Sequence, residues 1–185
     1  MNGSMTDAKN TQKKFAETFF GNLDKLSSGE RAALKRSGGK PYSQAKAQAM
    51  AAFGSCMPCL LSLADEYRWF AAACWYCQWS AEDSAGDGCV PFAKALRELK
   101  LKLDSNTIDT RLKSLLDEEW DEDSLLNLKL FRLIKMMKAQ GIKPDITALA
   151  EDLRWWNSYT KNVQRRWTRE YFCYTEKTEE KQEEN

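Results

Sequence analysis

The side chains that could do chemistry fall into three groups: paired thiols, a run of carboxylates, and rows of cations. Cys56-Met-Pro-Cys59 and Cys74-Trp-Tyr-Cys77 have a spacing close to that of a zinc ribbon, and the first pair alone has that of a dithiol redox centre. A continuous helix from Leu60 to Trp79 would hold the pairs about 22 Å apart at 1.5 Å per residue, too far for one metal. No strand-helix-strand pattern frames the first pair, as a redox motif requires. The cysteines are therefore expected to be mostly reduced thiols, small apolar residues that pack in cores, with no metal and no cofactor. The run Asp117-Glu-Glu-Trp-Asp-Glu-Asp123 offers carboxylates of the kind a two-metal nuclease uses. Adjacent acids on one loop point in different directions, however, so a solvated interhelical turn is expected. Histidine is absent, which removes the usual general base at neutral pH, Ser-His and Cys-His nucleophile pairs and imidazole metal ligands. The chain is not expected to be an enzyme.

The cations carry more information. In the segment Leu153 to Phe172, a helix starting after Asn157 or Ser158 would place Tyr159, Val163, Trp167 and Tyr171 on one stripe. Lys161, Arg165 and Arg169 would form a second stripe, offset by two residues or about 200°, so one face docks and the other looks outward. No acid interrupts the basic stripe. That pattern suits contact with a phosphate backbone, where cations displace condensed counterions without reading sequence. A solvated helix face has the same composition. A further expected helix, Leu125 to Lys138, spreads Lys129, Arg132, Lys135 and Lys138 across one side with Leu128, Phe131 and Met136 between them, an interleaving that a purely solvated face would not need.

Other helices must position these rows. One is expected from about Asp7 to Lys25. Ser27-Ser-Gly-Glu30 has the form of a capping box opening a helix over Gly29 to Arg36 that carries Arg31, Lys35 and Arg36 and ends at Gly38-Gly39. A third runs from about Ser43 to Phe53 and is broken by Gly54-Ser55. The apolar stretch Leu60 to Trp79, interrupted by Asp65, Glu66 and Arg68, predicts a largely buried helix. Residues 81–88 form a Gly/Asp/Ser loop. Pro91 can open a helix flanked by Lys94, Arg111 lies on a helix from Thr107 to about Leu116, and Asp145 caps a helix through Trp155. No strand alternation and no internal repeat is visible. The expected class is all-α, with roughly eight or nine helices.

At 185 residues with 43% apolar residues the chain can bury a substantial core. The net charge of +1 conceals a split: Thr175 to Asn185 carries five Glu and two Lys, so the remaining body stands at +4. The tail is expected to be disordered. Residues 1–10 are polar and are expected to be a disordered or extraneous N-terminus outside the fold, and no signal-peptide pattern or membrane-length apolar run occurs, so a cytoplasmic location is expected.

Four segments in order, Leu26-Ser-Ser-Gly-Glu-Arg-Ala-Ala-Leu-Lys-Arg-Ser37, Pro91-Phe-Ala-Lys-Ala-Leu96, Leu128-Lys-Leu-Phe-Arg-Leu-Ile134 and Asp152 to Phe172, resemble the CasB family, the small subunit of the type I-E CRISPR surveillance complex Cascade. The resemblance spans about residues 15 to 174. It implies two packed helical bundles, here 11–90 and 91–174, and two copies of the subunit within a complex active in antiviral defence. It also implies sequence-independent contact with crRNA and target DNA, help in holding guide RNA, target strand and displaced strand of the R-loop, and no nuclease activity. Carried over by motif, it points to Arg31, Lys35, Arg36, Lys94, Arg132, Arg154, Arg165 and Arg166, and more weakly to Arg111. The outer faces described above add Lys129, Lys135, Lys161 and Arg169. The cysteine pairs and the acidic tail have no counterpart in the resemblance. Two other functions fit the composition: a helical protein-interaction scaffold with no nucleic-acid role, and a cysteine-based metal or redox protein.

Overall fold

The structure, a computed structural model, describes residues 3–79, 89–123 and 125–173, with side chains from residue 13 onward. Nine α-helices occur among the described residues: α1 (Gly3–Asp24), α2 (Ser28–Ser37), α3 (Ala47–Cys56), α4 (Leu63–Tyr76), α5 (Phe92–Leu103), α6 (Thr107–Leu116), α7 (Leu125–Ala139), α8 (Ile146–Arg154) and α9 (Asn162–Phe172). A 3₁₀ turn covers Tyr42–Gln44, and a lone parallel bridge joins Val90 to Pro144. The all-α expectation holds. The expected loop at 81–88 and the acidic tail at 175–185 lie outside the described residues.

Local chemistry explains most of the boundaries. Glu30 N donates to Ser27 Oγ at 3.4 Å and Ser27 N donates to Glu30 Oε2 at 2.9 Å, so the capping box is complete. The Ser27 hydroxyl, donating to Glu30 Oε2 at 2.6 Å, and the Ser27 N–H together hold the Glu30 carboxyl below its usual range. Ser62 Oγ caps α4 through Asp65 N, and Asp145 Oδ1 caps α8 through Ala148 N. Gly141, at φ 68°, stands where α7 ends.

Expected boundaries shift at α3 and α4, and α3 opens at Ala47, after the 3₁₀ turn, instead of about Ser43. Gly54-Ser55 does not break α3, which continues to Cys56. A helical glycine costs only about 1 kcal/mol relative to alanine, and burying Phe53 and Cys56 outweighs it. The helix expected from Leu60 begins instead at Leu63, because Ser62 supplies the cap and the segment before it is non-helical, with Pro58, Cys59 and Leu60 exposed.

Helix α4 is the pillar of the fold. Arg68 through Trp75 are buried without interruption, so α4 must be covered on every side, and it packs against α2, the 3₁₀ turn, α7 and α8. Helix α5 in turn packs against α6, α7, α8 and α9. The buried side chains form one cluster from Ala16 to Tyr171, so the core is continuous across the expected boundary at 90/91. The chain there is tied down as well, with Val90 N donating to Lys143 O at 3.1 Å and Asp145 N to Val90 O at 2.9 Å.

Among the described residues Arg68 is the one charged side chain in this core, 3% exposed. Its guanidinium donates to the carbonyl of Ala150 on α8 at 2.9 Å and to Asp65 Oδ1 at 2.5 Å, and lies 3.5 Å from Glu151. Burial alone would raise the Asp65 carboxyl, but the Arg68 hydrogen bond and charge, with Ser62, hold it below its usual range. We therefore expect Arg68→Ala to cost about 3 kcal/mol in urea denaturation, since it strands two carboxylates and a buried carbonyl. The Asp65 contribution has a depressed folded pKa, so it is present in full above the unfolded carboxylate value, near pH 4, and is lost as pH falls further. Acid titration of wild type against Asp65→Asn checks that sign.

Candidate nucleic-acid interface

The basic end of α2 is set by a close approach of backbone to ring. Gly38 lies so near Phe131 of α7 that an added Cβ would sit 2.2 Å from a ring carbon, and one at Gly39 would meet Phe131 at 3.0 Å and Leu128 at 3.1 Å. Gly39 also has φ 75°, open to glycine at little cost. Asn127 Nδ2 donates to Lys40 O at 3.1 Å and fixes the same loop. Leu128 and Phe131, the apolar residues noted between cations, are the seat for this Gly-Gly turn. Lys135 Nζ stands 5.9 Å from the Phe131 ring centroid, which sets this exposed cation against the same ring as the turn following Lys35 and Arg36. Arg36, Lys40 and Lys46 line a groove of about 160 Å³ beside it. Lys40 and Lys46 were not singled out by sequence; the only signal was that cations flank Gly38-Gly39 and Pro41.

A second concavity, about 410 Å³, opens between α6 and α7 and is lined by Thr107, Thr110, Arg111, Ser114, Lys129 and Arg132. Arg111 and Arg132 are exposed, with no ion pair among the described residues. Lys129 is not open in the same way. It donates to Ser114 O at 3.0 Å and Ser114 Oγ at 2.8 Å and pairs with Glu118, so it braces the wall. Arg132 and Lys135 stand three residues apart, neighbours on the helix surface. Helix α7 therefore carries both a wall of the cleft and the seat of the Gly38-Gly39 turn.

The C-terminal rows differ from expectation. Helix α9 begins at Asn162, and Lys161 before it is left-handed at φ 48°. Tyr159 falls outside the helix and is fully exposed, so Val163, Trp167 and Tyr171 form the docking stripe without it. Trp156 takes the inner position instead, with its ring 5.0 Å from Trp167. Asn157 does not cap the helix; it exchanges two 2.8 Å hydrogen bonds with the backbone of Trp120. Arg165 and Arg169 lie opposite the docking stripe, exposed and without an ion pair among the described residues. Arg166 is half-exposed, pairs with Asp152 and lies 3.9 Å from Glu170. Arg154 and Lys94 are exposed on α8 and α5.

Arg31 is built into the fold. Its guanidinium donates to Leu23 O at 2.9 Å and Trp79 O at 3.0 Å and lies 3.5 Å from Asp24, with its side chain 13% exposed. It clips α2 to the ends of α1 and α4.

The acidic run is more than a solvated turn. Glu122 Oε1 accepts from Ser43 N at 2.7 Å, Glu118 O accepts from Trp156 Nε1 at 2.8 Å, and Trp120 packs on Trp75. These contacts hold the turn against other elements instead of gathering its carboxylates. The thiols also sit differently than helix length suggested. Asn22 Nδ2 bonds Cys56 O at 3.2 Å, and Cys56 lies close enough to Cys77 to disfavour its ionisation, while Cys59 is exposed. Burial pushes the Cys74 thiol well up and Cys77 up to about 12, so both stay protonated at neutral pH and are poor ligands and nucleophiles. Among the described residues no three metal-ligating side chains gather, and no helix is long and apolar enough to cross a membrane.

What this geometry can do is present guanidinium and ammonium groups from rigid helices to an extended anion. A family model described as CRISPR-associated protein Cse2 matches residues 30–172. Three solved structures share the fold. A CRISPR-associated protein of the Cse2 family from Thermus thermophilus is 25% identical over 85% of this chain and 97% of its own, with a TM-score of 0.66. M. ruber CasB is 22% identical over 84% and 90%, at 0.64. A chain from a CRISPR RNA-guided surveillance complex is 20% identical over 85% and 91%, at 0.69. No curated protein sequence matches.

The Gly38–Phe131 contact yields a stability test. Gly38→Ala is expected to lose about 1 to 3 kcal/mol by steric overlap, and Phe131→Leu in the same chain to recover part of that loss in thermal melts. Additive losses in the double variant would show that the two sites do not touch.

Proposed function

The chain belongs to the CRISPR-associated Cse2 family, and from that premise we propose that it is the non-catalytic small subunit of a type I-E Cascade complex, holding nucleic acid by backbone electrostatics. Its partners in this reading are crRNA, target DNA, the other subunits of the complex and a second copy of itself. The named complex among its structural relatives supports the assignment to such an assembly. The observation that carries the binding role is that Arg111, Arg132, Arg165 and Arg169 are exposed on helices and unpaired by acids among the described residues.

The mechanism needs no bond chemistry. Each exposed cation neutralises one phosphate and releases a condensed counterion, and the gain is the same for any sequence. With a body charge of +4 the isolated subunit attracts polyanions weakly at long range. Tethering two copies along one complex raises the effective affinity without new contacts. Guide RNA, target strand and displaced strand all offer the required phosphates, and stabilising the R-loop follows from holding them together.

The test is the salt dependence of oligonucleotide binding by the full chain. Replacing Arg132, Arg165 and Arg169 by alanine should flatten the slope of log K against log salt by about 0.7 per lost contact for single strands and 0.9 for duplex. Arg31→Ala should lower thermal stability and leave the slope nearly unchanged. An unchanged slope in the triple variant would mean these cations are the solvated face of a protein scaffold.

A further inference from the structure

Immediately after α8 the chain makes two successive turns, closed by Ser158 N to Trp155 O at 3.2 Å and Lys161 N to Ser158 O at 2.9 Å. Each displays an aromatic ring: Trp155 is 62% exposed and Tyr159 fully exposed. Single exposed apolar side chains are ordinary. Here two rings stand on consecutive turns, bracketed in sequence by Arg154, Lys161 and Arg165. The Arg154 guanidinium lies 5.7 Å from the Trp155 ring centroid.

The segment beneath the rings is braced. Trp156 is buried and its Nε1 donates to Glu118 O at 2.8 Å, while Asn157 is held by its paired bonds to Trp120. Gln164 Nε2 donates to Trp156 O at 2.7 Å, and Lys161 holds a left-handed conformation that a lysine rarely adopts. So the inner residues are fixed by four hydrogen bonds while the outer two rings face water.

We propose that Trp155 and Tyr159 form a stacking platform for unpaired bases of a nucleic-acid strand, with Arg154, Lys161 and Arg165 receiving its phosphates. This rests on the backbone-binding reading and sharpens it, because a platform of this kind takes single strands and not duplex. Every base has a π face, so stacking adds affinity without adding sequence preference. From Arg154 to Arg165 the sequence carries three cations and no acid. Charge complementarity thus favours a nucleic-acid strand over an apolar protein surface as the occupant.

The experiment compares, for the full chain at low salt, an oligothymidylate and an abasic oligonucleotide of equal length and charge. Wild type should bind the thymidylate at least about fivefold more tightly, the low end for stacking one base. Trp155→Ala/Tyr159→Ala should erase that ratio while keeping the abasic affinity and its salt slope. Circular dichroism serves as the folding control, and Tyr159→Phe, which keeps a ring, should retain the ratio. Equal wild-type affinity for the two oligonucleotides, with the arginine dependence intact, overturns the platform and leaves backbone binding standing. A double variant that retains the ratio but loses assembly with protein partners also overturns it and assigns the rings to a protein contact. Failure to bind either oligonucleotide at low salt sinks both the platform and the backbone reading.

Discussion

A guanidinium held in the middle of an apolar helix is the constraint from which the rest of the molecule follows. Removing a charge from water costs several kcal/mol even after relaxation, so Arg68 can be buried only where partners are ready. Ala150 O, Asp65 and Glu151 meet that requirement together, and they oblige α8 to lie against α4. Once α8 is fixed, so is the start of the chain that follows it. Asp152 receives both Arg166 and the Trp167 indole N–H, which seats α9 on the same surface. The outward direction of Arg165 and Arg169 is therefore a consequence of how the core is closed.

The cations divide by what lies within reach of them. Arg31, Arg68 and Lys129 meet backbone carbonyls and carboxylates and join helices. Arg132, Arg165 and Arg169 meet no acid among the described residues and face solvent. The first set acts on stability, since losing a hydrogen-bonded partner in a semi-buried site leaves a polar group without compensation. The second set contributes little to stability, because exposed charges are screened and mobile. In the proposed role their contribution is to binding, where each phosphate contact would add through counterion release. Helix α7 carries both kinds: Lys129 braces a wall, while Arg132 lines the α6/α7 cleft and Lys135 stands exposed over the Phe131 ring.

Elements governed by local chemistry were legible from sequence. The capping box at Ser27 and Glu30, the Asp145 cap, the Gly141 stop and helix α6 at Thr107–Leu116 depend on neighbouring residues, and all occur in the structure. Features set by distant partners were not legible. Nothing near Asn157 indicates that Trp120 will claim its side chain, which moves the start of α9 to Asn162 and turns Tyr159 outward. Arg31 has the composition of a surface cation, and only the carbonyls of Leu23 and Trp79 reveal it as a clip. The separation of the cysteine pairs was argued from helix length alone, whereas Cys56 ends α3 and residues 57–62, which lie between it and α4, are not helical.

In the proposed role the open cations hold nucleic acid within the assembled complex. The most direct measurement is the lifetime of the R-loop in complexes reconstituted with Arg132→Ala/Arg165→Ala/Arg169→Ala subunits, after subunit stoichiometry has been matched to wild type. Loss of about 1.4 kcal/mol or more in backbone contact corresponds to at least a tenfold faster collapse of the R-loop, with the difference shrinking as salt is raised. A fully assembled triple-variant complex whose R-loop persists as long as that of wild type would contradict the account.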